Sequence, residues 1–389
     1  MRLLYVSLDT GVPVGSPKGS SVHVAEMLRA LEAEGHETAL LTAAPASLHE
    51  NGRPIFSAGE TANELRAAVR AAIADFQPDV LYERYALLRR EARGESRRAR
   101  LPHALEVNAP LAEEYRRFRR SPLGAADVLA ERAIWADADL VFTPTRVLAE
   151  RVHRAGQREV MVVPNGVDPD RFRPLANRDA PRRELGLEGR FVVCWAGRLK
   201  PWHDLETLVA AVAGLPSSLS AVLLFVGDGP ERARVTALGR RLGVAMRFTG
   251  TVRHADVRRK LAAADACVAG LPADPRFHYF SPVKAMEYLA AGRPTVVGEA
   301  GDLADLVSCG AALGYRPGDV PDLRAQLEAL AVDPALGERL SREGRVLAQS
   351  RTWRAAARRV VGAFEPMLHS TSAVDSTHAA SEPIGGGTR

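Results

Sequence analysis

The chain contains little cysteine, and its histidines are not spaced as metal ligands. Its three cysteines, Cys194, Cys267 and Cys309, are far apart, and no two of its ten histidines form a His-x-His or His-x3-His pair. Neither a disulfide scaffold nor a zinc site built by the protein is expected from this spacing. An odd cysteine count in a chain of this size favours a reducing compartment, and we expect no protein-bound metal or other cofactor.

Long apolar runs are also missing. No window approaches the roughly 20 apolar residues that a membrane-spanning helix needs. The first residues, MRLLYVSLDTG, have too short an apolar core for a signal peptide and no cleavage site. The sequence therefore predicts a cytoplasmic protein.

The excess of one charge sign over the other is small. The chain has 52 Lys and Arg residues and 47 Asp and Glu residues, which gives a net charge of +5. So small an excess indicates phosphate-bearing small molecules as partners. Arginine is nevertheless concentrated at 89–100 and 116–120. These runs indicate solvated faces, with peripheral contact with the inner face of a membrane, or an anionic acceptor, as the alternative. No zinc-finger or RNA-binding motif accompanies them, so no nucleic-acid partner is expected.

Three common catalytic signatures are absent. The chain lacks the G-x-G-x-x-G fingerprint of dinucleotide-binding enzymes and the lysine-containing P-loop. Ser7, Ser20 and Ser281 lack the glycine context of a nucleophile elbow. Dehydrogenase, P-loop and serine-hydrolase functions are therefore disfavoured.

What the chain does contain is a regular alternation of short apolar runs with stretches of helical period. Alternation of this kind predicts an α/β fold with parallel, doubly wound sheets. It occurs twice, and 389 residues exceed the roughly 150 of one average domain. The proline- and asparagine-rich stretch 164–185 between the two series predicts a linker. The predicted strands are 2–8, 38–43, 79–84, 103–108, 140–145 and 160–165 in the first series, and 190–197, 221–229, 246–250, 266–271 and 293–299 in the second.

The ends of the two predicted domains follow from this pattern. We expect an N-terminal domain over residues 1–168 and a C-terminal domain over 169–349, with a ligand cleft between them. Residues 350–368 have helical period. The small, polar stretch 369–389 predicts a disordered tail.

Three turns between a strand and a helix contain residues suited to phosphate. The first, DTGVPVGSPKGSSVHV (9–24), includes Gly19 and Ser20 at a helix start, where free N–H groups favour an oxyanion. A plain turn explains this stretch equally well. The other two turns, WAGRLKPWHDLETL (195–208) and VGDGP (226–230), offer Arg198, Lys200, His203, Gly227 and Asp228. Their alternatives are ion pairing with Asp204 or Glu206, and helix capping by Asp228.

The stretch SPVKAMEYLAA (281–291) predicts a helix that begins at Pro282, with Ser281 as its N-cap. Lys284 and Glu287 are three residues apart and therefore share a face. An exposed ion pair between them would contribute only a few tenths of a kcal/mol. If the helix start instead faces the cleft, its N–H groups would bind phosphate and Glu287 would accept hydrogen bonds from a ribose diol.

Five segments in order resemble the retaining GT-B glycosyltransferases of family 4. They are GHETALLTA, VPNGVDPDRFRP, AGRLKPWHDLETLVAA, FVGDGP and SPVKAMEYLAAGRPTVV, and the resemblance extends from residue 2 to about 367. The SPxKxxEY and KPWH forms resemble one branch of that family. The resemblance implies two Rossmann-like domains, a nucleotide-sugar donor bound mainly by the second, an acceptor bound mainly by the first, and no metal. It also implies that the helix 350–368 crosses back onto the N-terminal domain.

The resemblance also assigns roles to residues. Arg198 matches the family's diphosphate-binding arginine, Glu287 matches the glutamate that holds the ribose hydroxyls, and Gly19 falls in the glycine loop near the diphosphate and sugar. Lys200 and the helix dipoles are expected to assist Arg198 as charge develops on the leaving diphosphate. Ser281, Pro282, Val283 and Lys284 are expected to shape the phosphate and sugar end of the donor site.

Three positions depart from the family pattern. Tyr279 stands where the first glutamate of the Glu-x7-Glu pair normally engages the transferred sugar. His203 stands at the usual diphosphate lysine, with Lys200 as its substitute. Asn108 replaces the N-terminal histidine near the reacting centre, and with Arg84 it is expected on the acceptor side.

The function implied is transfer of a sugar from a nucleoside-diphosphate sugar with retention of anomeric configuration. The acceptor is a cell-envelope glycan or lipid, or a natural-product core. UDP and GDP donors are left open because the loop 250–254 (GTVRH), which would contact the base, carries no readable motif, and a homodimer is left open as well. A non-catalytic nucleotide-sugar-binding subunit and a GT-B sugar-nucleotide epimerase are the alternatives.

Overall fold

Two parallel β-sheets, one after the other along the chain, form the frame of the molecule. The computed structural model describes residues 1–16, 18–44, 52–118, 122–281 and 283–378, with side chains of the last helix described to residue 368. The strands are β1 (Arg2–Ser7), β2 (Glu37–Thr42), β3 (Ile55–Ser57), β4 (Val80–Arg84), β5 (His103–Glu106), β6 (Leu140–Thr143), β7 (Val160–Val162), β8 (Val192–Ala196), β9 (Val222–Val226), β10 (Ala245–Phe248), β11 (Ala266–Ala269), β12 (Thr295–Gly298) and β13 (Leu313–Tyr315).

Helices connect these strands and cover both faces of each sheet. They are α1 (Gly19–Ala33), α2 (Ala62–Phe76), α3 (Glu91–Ala99), α4 (Leu111–Phe118), α5 (Ala125–Asp137), α6 (Arg146–Arg154), α7 (Asp179–Leu185), α8 (Leu205–Ala213), α9 (Arg232–Arg241), α10 (His254–Leu261), α11 (Val283–Ala290), α12 (Ala304–Ser308), α13 (Val320–Val332), α14 (Pro334–Ser350) and α15 (Trp353–His378). Short 3-10 helices occupy Pro201–His203, Ser217–Leu219, Pro275–Phe277 and Gly301–Leu303.

Both sheets are doubly wound, as predicted. The strand order is β3-β2-β1-β4-β5-β6-β7 in the first sheet and β10-β9-β8-β11-β12-β13 in the second. In each sheet the chain first winds outwards from one strand, β1 or β8, and then returns to wind the other way. A crevice opens at the carboxyl ends of the strands where the winding reverses, and ligands of doubly wound sheets bind there.

Local sequence signals account for many of the helix ends. Thr61 forms a capping box with Glu64 at the start of α2, and Asp319 and Asp333 cap α13 and α14. Gly35, with φ of 86°, follows the end of α1 in the left-handed region that glycine adopts at little cost. These caps satisfy N–H groups that each helix leaves without intrahelical partners.

The apolar face of α1 predicted from its period packs on the first sheet. Val24, Met27, Leu28 and Leu31 are buried there together with residues of β1, β4 and the last helix. Thus α15 crosses from the second domain to the first. Its Arg354 and Arg358 side chains reach Glu34 at 2.7 and 3.0 Å.

The two chain segments that cross between the domains touch each other. Val167 N donates to Arg351 O at 3.0 Å, and a Cβ on Gly166 would lie 2.3 Å from Trp353 N. No larger residue fits at position 166 without moving the second crossing. This contact fixes where the linker and the start of α15 meet.

The structure differs from the sequence prediction at several places. The linker 164–185 contains the helix α7, and the three-residue edge strands β3 and β13 were not predicted. The helix α15 continues to His378, so residues 369–378 are helical where composition predicts a disordered tail. The rest of the predicted tail, 379–389, lies outside the described residues.

Glu131 on α5 supplies a test of the packing of the first domain. Its side chain is 1% exposed, and burial raises its pKa from the usual 4.5 to about 8. The folded state therefore holds a proton that the unfolded chain releases between these pH values, so stability falls as pH rises through that window. We expect the Glu131→Gln variant to lose this part of the pH dependence. The difference in the free energy of unfolding between variant and parent should be more favourable to the variant at pH 9 than at pH 5, by on the order of a few kcal/mol.

The measurement is denaturant unfolding of both proteins from pH 5 to pH 9. The matched control is Glu150→Gln, because Glu150 is an exposed glutamate of α6 paired with Arg154. Parallel pH profiles for the parent and the Glu131→Gln variant would contradict the assignment.

Candidate functional site

Two loops at the carboxyl edge of the second sheet interlock to form one surface. Gly197 N donates to Val226 O at 2.9 Å, and Leu199 N donates to Asp228 O at 3.0 Å. Gly227 has a φ of 141°, and a Cβ there would lie 1.9 Å from Gly197 O. Only glycine allows this approach, so the loops that follow β8 and β9 are held together where the winding of the sheet reverses.

A lysine ammonium lies beside this surface without a hydrogen-bond partner. Lys284 Nζ is buried, contacts no hydrogen-bonding group among the described residues, and lies 3.5 Å from the centroid of the Trp195 ring. Burial lowers the pKa of Lys284 well below its usual value. The negative charge of Glu287 acts in the opposite direction but does not compensate for burial. The cation–π contact offsets only part of the cost of removing the ammonium from water.

Three other cationic or basic side chains follow β8. Arg198 is exposed, Lys200 Nζ lies 5.4 Å from the centroid of the Trp202 ring, and the His203 ring packs 5.2 Å from Trp195. Burial lowers the pKa of His203 well below its usual value, and the charges of Lys284 and Lys200 lower it further. His203 is therefore neutral at physiological pH.

The two acids near this loop that the sequence suggested as ion-pair partners have contacts elsewhere. Asp204 accepts a hydrogen bond from Thr207 Oγ1 at 2.8 Å, and Glu206 pairs with Arg234. Asp228, by contrast, accepts from Gly229 N at 2.8 Å and pairs with Arg232 at 2.5 Å. Asp228 therefore orders its own turn, but it does not cap α9, whose N-cap residue is Glu231.

Glu287 is paired with a residue that the sequence did not suggest. Glu287 lies on α11, is buried, and places Oε1 2.6 Å from His254 Nε2. The i,i+3 pair with Lys284 does not form. His254 ends the stretch 250–254, which carries no readable motif, and begins α10, so only the tertiary structure brings it to Glu287.

Tyr279 does not lie on this surface, in contrast to its predicted place at the donor. It is fully buried and donates a hydrogen bond to Glu114 Oε1 of α4 at 2.5 Å. Burial and the Glu114 charge raise the pKa of Tyr279 above its usual value. An aromatic ring beside Phe277 and Phe280 gains more by burial against the first domain than by exposure in a polar cleft.

The two predicted acceptor-side residues meet at a carboxylate that the sequence did not single out. Glu106 accepts hydrogen bonds from Tyr82 Oη at 2.7 Å, from Arg84 at 2.7 Å and from the Asn108 amide. Burial opposes ionisation, but the charges of His23 and Arg84 outweigh it and hold the pKa of Glu106 far below its usual range. The sequence contained a signal for this site, because a glutamate between the apolar residues Leu105 and Val107 of a predicted buried strand indicates a buried carboxylate.

A chain of polar contacts joins this cluster to the start of α11. His23 Nε2 lies 2.9 Å from Glu106 Oε2, and His23 Nδ1 lies 2.7 Å from Asn165 Oδ1. Asn165 Nδ2 in turn donates to Ser281 O at 2.9 Å. The start of α11 also contacts the first domain through Val283, whereas Pro282 lies outside the described residues.

The start of α1 lies one helical turn before His23. Lys18 precedes the helix without a side-chain cap, and a Cβ on Gly19 would meet no atom within 4 Å. Ser20 follows in the first turn. The N–H groups of this turn carry the positive end of the helix dipole and suit an anion.

Metal-binding clusters and membrane-spanning helices are absent from the described part of the chain. Among the described residues, no group of three or more His, Cys, Asp or Glu side chains is arranged to hold a metal ion. None of the described helices is long and apolar enough to cross a membrane.

Comparison with known proteins places both domains in one family. Residues 17–171 match the model of Glycosyltransferase Family 4, and residues 190–333 match that of Glycosyl transferases group 1. A D-inositol 3-phosphate glycosyltransferase of Streptomyces avermitilis is 31% identical over 274 residues, which cover 66% of this chain and 58% of that protein.

Two further relatives are informative. A GDP-mannose-dependent alpha-(1-6)-phosphatidylinositol dimannoside mannosyltransferase of Mycobacterium tuberculosis is 29% identical over 67% of this chain and 66% of its own length. The structure of Anabaena HepE in complex with UDP-glucose is 19% identical, with a TM-score of 0.78 over 94% of this chain and all of that chain. The match to HepE shows the fold alone.

The family and the fold predicted from the five motifs are thus confirmed. With both Rossmann-like domains matched by glycosyltransferase models, and with the whole chain similar in fold to solved glycosyltransferase structures, the chain belongs to glycosyltransferase family 4 and has the GT-B fold.

Proposed function

We propose that this protein transfers a sugar from a nucleoside-diphosphate sugar to an acceptor with retention of anomeric configuration and without a protein-bound metal. The observation that carries the proposal is the buried amino group of Lys284, which has no hydrogen-bond partner among the described residues, beside the glycine loops that follow β8 and β9. A diphosphate placed there would supply the missing counter-charge.

The donor diphosphate would contact three cations. Lys284 approaches the Cβ position of Gly197 to 3.1 Å, so the absence of a side chain at Gly197 leaves its ammonium next to the loop. Arg198 and Lys200 belong to the same loop, and the first turn of α1 would add N–H donors from the opposite domain. Glu287 would hold the ribose hydroxyls, as the family resemblance implies.

The relatives support a nucleotide-sugar donor. One acts with GDP-mannose and one was solved with UDP-glucose, so guanosine and uridine donors are both represented. The acceptor proposed is a cell-envelope glycan or lipid, or a natural-product core. Several arginines of the 89–100 run form ion pairs with Asp137, Asp139 and Glu91. The proposed peripheral contact with a membrane would therefore rest on the other arginines of the run.

Retention would follow from attack on the face that the diphosphate leaves. The bond between the anomeric carbon and the phosphate oxygen breaks, the acceptor oxygen bonds to that carbon, and the acceptor proton passes to the departing phosphate. Arg198, Lys200 and Lys284 would stabilise the charge that develops on the diphosphate. The same cations supply the positive charge that a metal ion supplies in other phosphate sites, so we expect activity to persist in the presence of a chelator.

A nucleotide panel tests the donor site. We expect one of UDP, GDP, ADP and dTDP to raise the melting temperature strongly, equally with EDTA and with Mg²⁺. A ligand at about 100 times its Kd stabilises by about 2.7 kcal/mol. The control is the matching nucleoside, which lacks the diphosphate and should stabilise much less. Absence of a shift with all four diphosphates would overturn the donor site.

The stereochemical outcome tests the reaction. With the donor identified, NMR of the transferred sugar should show the anomeric configuration of the donor in the product. An inverted product would contradict the retaining mechanism. Release of an isomerised sugar nucleotide without acceptor would indicate the epimerase, and binding without any turnover across an acceptor panel would indicate the non-catalytic subunit.

Replacement of Lys284 should have opposite effects on stability and binding. In Lys284→Met a buried amino group without a hydrogen-bond partner among the described residues becomes apolar, so the free protein should be at least as stable as the parent. Affinity for the preferred diphosphate should fall at least about tenfold, or about 1.4 kcal/mol. Calorimetry and thermal unfolding measure the two effects.

The matched control is Lys260→Met, since Lys260 lies on the same domain and pairs with Glu184. It should leave diphosphate affinity unchanged. Parent-like affinity in Lys284→Met would remove Lys284 from the donor site.

A further inference from the structure

The carboxylate of Glu287 is held by one oxygen only. Oε1 lies 2.6 Å from His254 Nε2, and no donor meets Oε2 in the part of the chain that the structure describes. A carboxylate has about four acceptor sites on its two oxygens. The contact with His254 therefore leaves most of the hydrogen-bonding capacity of Glu287 for another partner.

The His254 ring is itself fixed in place. It is the first residue of α10, and its ring packs 5.3 Å from that of Phe172, which is 1% exposed and belongs to the segment joining the domains. The side chains of His254 and Glu287 are 22% and 10% exposed. The ring is thus enclosed on two sides, by an aromatic ring and by the carboxylate.

Charged groups from other elements surround the same crevice. Glu26 of α1 and the linker residues Asp168 and Arg171 line it together with Glu287 and His254. These three are paired with one another, since Arg171 reaches Glu26 at 2.6 Å and Asp168 at 3.4 Å. Among the described residues, His254 is therefore the side chain that holds the Glu287 carboxylate.

We propose that His254 is a positioning residue that orients Glu287 for recognition of the donor ribose. The inference rests on the proposed function, because it assumes that Glu287 binds the ribose hydroxyls. In this arrangement His254 Nε2 donates to Glu287 Oε1 and leaves Oε2 for the ribose hydroxyls. A glutamate loses side-chain freedom when it binds, and a carboxylate already oriented loses less. His254 thereby increases the contribution of the ribose hydroxyl groups to the affinity for the donor.

The test compares the preferred nucleoside diphosphate with its 2′-deoxy and 3′-deoxy analogues by calorimetry. The parent should bind the ribose form at least about tenfold more tightly than one of the deoxy forms, as expected for a hydrogen bond to a charged group. In His254→Ala this ratio should fall to within about twofold of one, while affinity for that deoxy form stays near the parent value. A merely structural role for His254 would weaken all three ligands alike.

Two variants and a control secure the result. In His254→Gln the side-chain amide can still donate to Glu287, so the ratio should recover in part. In a Glu287→Ala background, His254→Ala should have no further effect on the ratio, because coupled residues are not additive. His153→Ala, which removes an exposed histidine of α6, should leave the ratio unchanged.

The outcomes separate the inference from the proposed function. A full ratio in a folded His254→Ala variant overturns the positioning role and leaves the donor site intact. A parent protein that binds the diphosphate without distinguishing either deoxy form overturns the role of Glu287 and that of His254. A parent that binds no nucleoside diphosphate overturns the proposed function and this inference together.

Discussion

The arrangement of the two domains depends on the contacts that the carboxylate of Glu106 makes inside the first domain. A buried carboxylate is tolerated only when donors and opposite charges surround it, and here Tyr82, Arg84, Asn108 and His23 converge on it. Those donors come from β4, from the loop after β5 and from α1. A single carboxylate therefore ties together the elements at the carboxyl edge of the first sheet, where the winding reverses.

The same cluster reaches the second domain. His23 contacts Asn165 in the interdomain linker, Asn165 holds the carbonyl of Ser281 just before α11, and the His23 ring packs edge-on against Trp353 of α15 at 5.2 Å. Both crossings between the domains thus meet at one histidine. The start of α11, which carries Lys284 and Glu287, is positioned by the first domain as well as by its own sheet.

The two domains treat buried charge differently. In the first domain Glu106 and Arg84 satisfy each other, and the cluster stabilises the fold. In the second, Lys284 Nζ is buried over Trp195 and finds no hydrogen-bonding partner in the described parts of the chain, at a cost to stability that packing elsewhere must offset. Proteins retain unfavourable arrangements of this kind mainly at functional sites, because a ligand that supplies the missing charge gains what the free protein lacks.

Much of the fold and part of the site could be predicted from the sequence. Short apolar runs separated by helical periods require a parallel sheet covered on both faces, and the glycines at 197 and 227 mark turns where backbones approach closely. The edge strands β3 and β13 could not be predicted, because three residues carry too little periodicity to distinguish a strand from a loop. The helix α7 could not be predicted either, because it is short and lies in a stretch rich in proline and polar residues.

The partners of the charged side chains were decided by tertiary structure alone. Helical spacing pairs Glu287 with Lys284, yet Lys284 turns to the face of Trp195 and Glu287 pairs with His254, 33 residues away in the chain. Tyr279, placed at the donor by its position in a motif, is buried against Glu114 in the other domain. Sequence determines which segments form strands and helices, because that depends on local periodicity and turn chemistry. Which charges meet depends on the geometry of two packed sheets, and that exists only once the chain has folded.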